Sequence, residues 1–158
     1  MKKILILLML SSILLSACTP VSLRNVSDGT GSLSNVTRVE PSYLDEKFAN
    51  GDTFIFFASL STCTHCKFLK KVFQVVIADN QFPIFYVERD KVSNTAWSSM
   101  LKYIIDPEYF PIIYVVKDGV VSDVFFAEAF ITAEDDTLVD QFALDFITYL
   151  QTLEYPLP

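Results

Sequence analysis

Histidine, tryptophan and cysteine are scarce in this chain, which has one His, one Trp and three Cys among 158 residues. The lone histidine, His65, stands between Cys63 and Cys66 in the run Ser61-Thr62-Cys63-Thr64-His65-Cys66-Lys67. A structural zinc site takes four ligands, usually cysteine and histidine. With no second histidine, and with the third cysteine, Cys18, far off in the N-terminal segment, zinc here would have to recruit carboxylates. The c-type haem attachment motif needs a histidine directly after its second cysteine, and that position holds Lys67. Cations are also in short supply, 12 Lys and Arg against 19 Asp and Glu. A surface of that sign repels nucleic acid and anionic lipid head groups, so nucleic acid is not expected as a partner. No internal repeat is visible, and no motif asks for a metal or another cofactor.

What is present begins with a segment made for export. Lys2 and Lys3 precede a largely apolar run over residues 4–15, and small residues follow. This is the order of a signal peptide, and the run is too short for a spanning helix of the mature protein. The segment ends Leu15-Ser16-Ala17-Cys18, which resembles the lipobox of bacterial lipoproteins. The resemblance implies that residues 1–17 are a lipoprotein signal peptide, that cleavage falls before Cys18, and that Cys18 carries a diacylglyceryl thioether. An ordinary secretory signal with an incidental cysteine is the plainer alternative. Lipid chains contribute about 0.8 kcal/mol per buried methylene, so two chains hold a protein on a membrane where one holds it marginally.

Losing two lysines leaves ten cations against 19 acids, a mature charge of -9. Residues 18–36 then read as a lipidated N-terminus and flexible tether, rich in Ser, Thr, Asn and Gly and without a sustained apolar period. Asn25 and Asn35 open glycosylation sequons, which a bacterial source makes chance matches. The expected location is extracytoplasmic, lipid-anchored to the cell membrane. In a two-membrane cell the outer membrane is the default, because Thr19 is not aspartate. Disulfides persist in such a compartment, and with Cys18 acylated, Cys63 and Cys66 have only each other as intramolecular partners.

From residue 37 to 158 the pattern is that of one alternating α/β domain. The expected elements are a short strand over 37–39, a helix over 42–49, and a strand over 53–58 whose unbroken apolar run suits burial on both faces. A helix follows Cys63, with Phe68, Leu69, Val72, Phe73 and Val76 at core spacing. A strand over 83–87, a helix over 94–105, and strands over 112–116 and 120–126 joined by the hairpin signal Lys117-Asp118-Gly119 come next. A helix over 137–153 closes the domain, with Glu134, Asp135 and Asp136 near its positive end. Phe54 to Phe57, Phe125, Phe126 and Trp97 read as core. Lys67, Lys70 and Lys71 read as a solvated helix face.

The order β-α-β-α-β-α-β-β-α, the Cys63-Thr64-His65-Cys66 motif opening a helix after the second strand, and the Phe110-Pro111 step before the hairpin together resemble a thioredoxin fold. The fold expected is therefore α/β, a central mixed sheet flanked by helices. The resemblance implies a cis bond before Pro111 beside the cysteines, with the backbone of Phe110 pairing to an extended substrate segment. It implies Cys63 as the exposed nucleophile, its thiolate favoured by the free N–H groups and dipole of the helix N-terminus. Cys66, three residues on, is the resolving thiol. His65 supplies a donor or a positive charge beside the Cys63 sulfur, and the Cys-x-His-Cys form is similar to that of DsbA-like oxidases.

Two positions depart from thioredoxins. Where those carry a buried acid before the motif and a tryptophan just ahead of the nucleophile, this chain has Phe57 and Thr62. The departure favours a disulfide oxidase or isomerase. Other readings stay open: a static disulfide, though one closing so short a loop restricts the unfolded chain little; a reductase fed by a membrane electron donor; and a non-catalytic adaptor of an export or envelope system. The expected partners are exported cysteine-containing proteins, a membrane redox partner and the membrane itself. The low-glycine lipoprotein also resembles thioredoxin-like accessory proteins of Gram-positive bacteria, including those encoded with bacteriocin export systems.

Overall fold

The computed structural model describes residues 36–80, 82–127, 131 and 135–157. Residues 1–35, on which the expected signal peptide, Cys18 and most of the expected tether fall, lie outside the described residues. Five strands, β1 (Thr37–Arg38), β2 (Phe54–Ser59), β3 (Ile84–Glu88), β4 (Ile112–Lys117) and β5 (Val120–Phe126), form one sheet in the order β1-β3-β2-β4-β5. The first three run parallel, and β4 and β5 are antiparallel to their neighbours. Among the described residues, four α-helices cover it: α1 (Pro41–Ala49), α2 (Thr64–Asn80), α3 (Asn94–Met100) and α4 (Val139–Thr152).

Burial follows the period of two that a strand imposes. In β2, Ile55 and Phe57 enter the core shared with α2 and α4, while Phe54, Phe56 and Ala58 enter the one shared with α1 and α3. All six residues of β2 are buried, as its apolar run predicts for a strand covered on both sides. The aromatics interlock across this strand: Phe57 meets Phe73 edge-on at 5.4 Å and stacks on Tyr86 at 5.5 Å, and Phe56 stacks on Tyr114 at 4.7 Å. Trp97 is core, as expected.

Three expectations are corrected. The third helix stops at Met100 rather than at residue 105. Leu101 and Tyr103 donate three residues back, to the carbonyls of Ser98 and Met100, which tightens the turn. Asp106, which precedes Pro107 and is thereby pushed out of helical geometry, accepts from Trp97 Nε1 at 2.9 Å. The last helix starts at Val139, after a 3-10 turn over Asp136–Leu138 that Asp135 caps by accepting from Thr137 N at 2.9 Å. Phe126, read as core, is 43% exposed because β5 is the edge of the sheet.

The Asp118-Gly119 turn has positive φ at both positions, 51° and 72°, which is the twist that a two-residue hairpin needs. Gly119 also admits no side chain, since a Cβ there would stand 2.5 Å from Phe48 O and 2.9 Å from Gly51 Cα. Gly119→Ala is therefore expected to destabilise the fold by about 1–3 kcal/mol. Gly51→Ala, at φ 73° but with its nearest neighbour 3.8 Å away, should cost less. Urea midpoints measure both, and equal midpoints would contradict the close approach at Gly119.

Candidate active site

Strand β2 ends at Ser59, and the turn that follows hands the chain to α2. Cys63 N donates to Leu60 O at 3.2 Å, and Lys67 N donates to Cys63 O at 3.2 Å, the first bond of the helix. Cys63 thus stands at the N-cap. Its sulfur does there what a serine or aspartate oxygen does elsewhere, accepting the backbone N–H of Cys66 at 3.0 Å. That N–H is one of those a helix leaves without a carbonyl partner. Cys63 and Cys66 form a disulfide with Cα atoms 5.2 Å apart. Cys63 is half-buried and Cys66 wholly buried, so an approaching sulfur meets Cys63.

The loop before β4 closes the other side. The Phe110–Pro111 bond is cis, as expected, and Phe110 O lies 3.7 Å from Cys63 Sγ. In the disulfide that sulfur carries no proton, so this is a packing contact; a reduced thiol there can donate to the carbonyl. Pro111 is buried, and its carbonyl accepts Ala127 N at 3.5 Å, which ties the loop to the end of β5. Cys63, Cys66, Phe110 and Pro111 are thereby brought together. His65 occupies the first turn of α2 between the cysteines, half-buried. Cys18 lies outside the described residues. Among the described residues, no group of three or more His, Cys, Asp or Glu is placed to hold a metal ion.

The sequence reading missed what pins the turn. Asp90, in a 3-10 turn over Arg89–Lys91 after β3, accepts Ser61 N at 2.9 Å and also the Ser61 hydroxyl. First the hydroxyl and then the amide of Ser61 hold the Asp90 carboxyl below the usual carboxylate range. The lysine run is corrected at Lys70. Lys70 reaches Glu88 at 3.1 Å and lies over the Tyr86 ring at 3.7 Å, and Lys71 pairs with Asp136 at 2.7 Å. Lys67 and Lys71 are both exposed and fit the solvated face, whereas Lys70 is half-buried. Glu88 also meets Arg38 at 3.4 Å, so α2 is latched to the end of β3 one turn beyond Cys66. These partners are distant in sequence, and no local pattern announces them.

Such a site can carry out thiol–disulfide exchange: an accessible sulfur, a buried partner three residues on, and an N–H directed at the place where negative charge appears. Asp90→Ala is expected to free the Ser61 amide, so that hydrogen exchange at Ser61 and Cys63 speeds up several-fold while amides in β2 and β4 stay protected. Acid should do the same to the unaltered chain. Because the Asp90 carboxyl is depressed in the fold, the tie is complete above the ordinary carboxylate range near about pH 4 and is lost as pH falls through the lower folded value. Unaltered exchange at Ser61 in Asp90→Ala would show that the carboxylate does not hold the turn.

No family model matches the chain, and no curated protein does. Among solved structures it is similar to thioredoxin O2 from Arabidopsis thaliana in the oxidized state, with a TM-score of 0.53 and 11% identity over 78% of this chain and 98% of that one. It is also similar to a chain in the complex of ferredoxin:thioredoxin reductase with thioredoxin f2, with a TM-score of 0.52 and 11% identity over 77% and 96%. At that identity the likeness speaks for architecture alone. Together with the sheet order and the cysteine pair at the head of α2, it gives the chain a thioredoxin fold.

Proposed function

We propose that the protein is a thiol–disulfide oxidoreductase working outside the cytoplasm, tethered by lipid on Cys18, that introduces or rearranges disulfides in exported cysteine-containing proteins. The single observation that carries the redox reading is the asymmetry of the pair. Half-buried Cys63 is bonded to wholly buried Cys66, and its sulfur takes an N–H of the α2 N-terminus. The lipobox-like ending at Cys18 and the acidic mature surface support tethering by acyl chains rather than by charge. Exports of bacteriocin-type systems are one class of substrate this reading admits.

The exchange runs in two steps. A substrate thiolate attacks the Cys63 sulfur, the Cys63–Cys66 bond breaks, and its electron pair leaves on Cys66, which takes a proton from water. A second substrate thiolate then attacks the substrate sulfur of the mixed disulfide and expels Cys63 as thiolate, giving an oxidised substrate and a reduced protein. A disulfide-bearing partner at the membrane takes the two electrons back and restores the pair. A helix N-terminus favours the thiolate product, and a protonated His65 in the same turn would add to that. Phe57, packed between Phe73 and Tyr86, fills the position where an acid would help Cys66 lose a proton. Both features favour oxidation or isomerisation of substrates over their reduction.

A Cys66→Ser variant is expected to accumulate mixed disulfides through Cys63 with exported proteins in cells and with a reduced test protein. Finding none would sink the exchange reading. Equilibration with glutathione buffers should place the pair well above the potential of about -270 mV typical of thioredoxin; a value near that figure would reverse the direction of flow. A Cys63→Ser, Cys66→Ser double variant that keeps full function in cells would identify an adaptor instead. For the anchor, Cys18→Ala is expected to move the protein from the membrane fraction to the soluble one and to abolish labelling by radioactive palmitate.

A further inference from the structure

Next in sequence to Phe110, the residue whose carbonyl faces the disulfide, begins an exposed aromatic surface that the exchange chemistry itself does not use. Tyr109 is 67% exposed and Phe126 is 43% exposed, although large aromatic rings lower their free energy by leaving water. The two rings meet edge to face with centroids 6.2 Å apart, so they form one surface. They come from different segments that converge on the site. Tyr109 is bonded to Phe110, whose carbonyl stands 3.7 Å from Cys63 Sγ. Phe126 is paired with Ile112 across the sheet, and the next residue, Ala127, donates to Pro111 O.

What covers this shelf is dictated by its neighbour. A thiol that attacks Cys63 brings the chain on either side of its cysteine, and consecutive Cα atoms lie about 3.8 Å apart. Residues close to the attacking cysteine therefore run along the Phe110 segment, where Tyr109 is the preceding residue and Phe126 the ring packed on it. Main-chain pairing at Phe110 would accept any sequence. Two exposed rings accept apolar side chains, and their negative faces gain nothing from acidic ones. Glu108, exposed next to Tyr109, and the net charge of -7 further disfavour acidic segments.

Resting on the exchange reading above, we infer that Tyr109 and Phe126 are specificity-determining residues. They select extended substrate segments with an aliphatic or aromatic, non-acidic side chain within three residues of the reacting cysteine. The peptide thiolate forms its bond to Cys63 sulfur as the Cys63–Cys66 bond breaks. The electron pair goes to Cys66; the peptide's second thiolate then bonds to the first peptide sulfur as the bond from that sulfur to Cys63 breaks and Cys63 leaves as thiolate.

The test uses the oxidised full-length protein and two synthetic dithiol peptides, identical but for Phe or Ser two residues from the first cysteine. Quenched mass spectrometry gives the second-order rate for each. The Phe peptide should react about tenfold faster, and a Tyr109→Ser, Phe126→Ser variant should bring the ratio close to one, while Phe126→Leu keeps most of it. The single variant Tyr109→Ser, at the more exposed site, gives the same reading if the double variant does not fold. A ratio near one in the unaltered protein, or a ratio that survives the double substitution, overturns the shelf alone. Failure of the unaltered protein to react even with dithiothreitol overturns exchange, and the shelf with it. A stable dimer in sedimentation that Phe126→Ser dissociates would assign the surface to a second copy and overturn its role in substrate choice.

Discussion

The N–H of Cys66 can point at the sulfur of Cys63 only because the first turn of a helix leaves its amides without carbonyl acceptors. The rest of the structure keeps that turn where it is. Strand β2 cannot slide, since a shift of one residue would send Ile55 and Phe57 out of one core and into the place of Phe54 and Phe56 in the other. Its end therefore delivers Leu60, Ser61 and Cys63 to a fixed point. Helix α2 cannot roll, since its apolar stripe packs against the sheet and α4, and Lys70 is latched to Glu88. Asp90 closes the remaining freedom by holding Ser61 through two donors.

The forces involved differ in kind. Burial of the aromatic strand residues is non-directional and large, with about 1.5–3 kcal/mol for each side chain such as Phe taken fully out of water. It sets the positions of the elements and is indifferent to the chemistry. The contacts that tune the site are small, directional and half-exposed. The Lys70–Glu88–Arg38 cluster has side chains 15–39% exposed, so solvent screens each pair and what they contribute is mainly geometry. A strong apolar frame thus carries a weakly held polar rim, and the disulfide sits where the two meet. Cys66 is on the buried side, and Cys63 is reached from the rim.

This division explains what could be read from the chain alone. The frame was legible because each of its parts has a local signature: the apolar run at Phe54 to Phe57, the spacing of Phe68, Leu69, Val72, Phe73 and Val76, and the Asp118-Gly119 turn. The cysteine pair and the cis bond at Pro111 were legible by resemblance, through three features in a fixed order. The rim was not legible. Asp90 meets Ser61 across 29 residues of chain, and Lys71 meets Asp136 across 65. Such partners are joined by topology and carry no pattern of their own. Phe126 was misread for a related reason, since an edge strand and a central one can share the same apolar alternation. The end of α3 was missed because it is set by Asp106 taking the Trp97 N–H, a tertiary contact that overrides the helical periodicity.

The same asymmetry bears on the direction of electron flow. In the disulfide, the Cys63 sulfur is a weak acceptor and the Cys66 N–H gains little from it. In the reduced protein a Cys63 thiolate turns that contact into a charge-assisted bond, about twice as strong as a neutral one. The helix N-terminus therefore stabilises the reduced form selectively, and each 1.4 kcal/mol of such preference raises the potential by about 30 mV. Burial acts oppositely on a thiol in the interior, because an enclosed thiol favours its neutral form, and Cys66 is wholly buried. A thiolate formed on Cys63 therefore places its charge on the half-exposed sulfur beside an N–H donor and outside the apolar interior. The proposed oxidation or isomerisation of substrates rests on that preference.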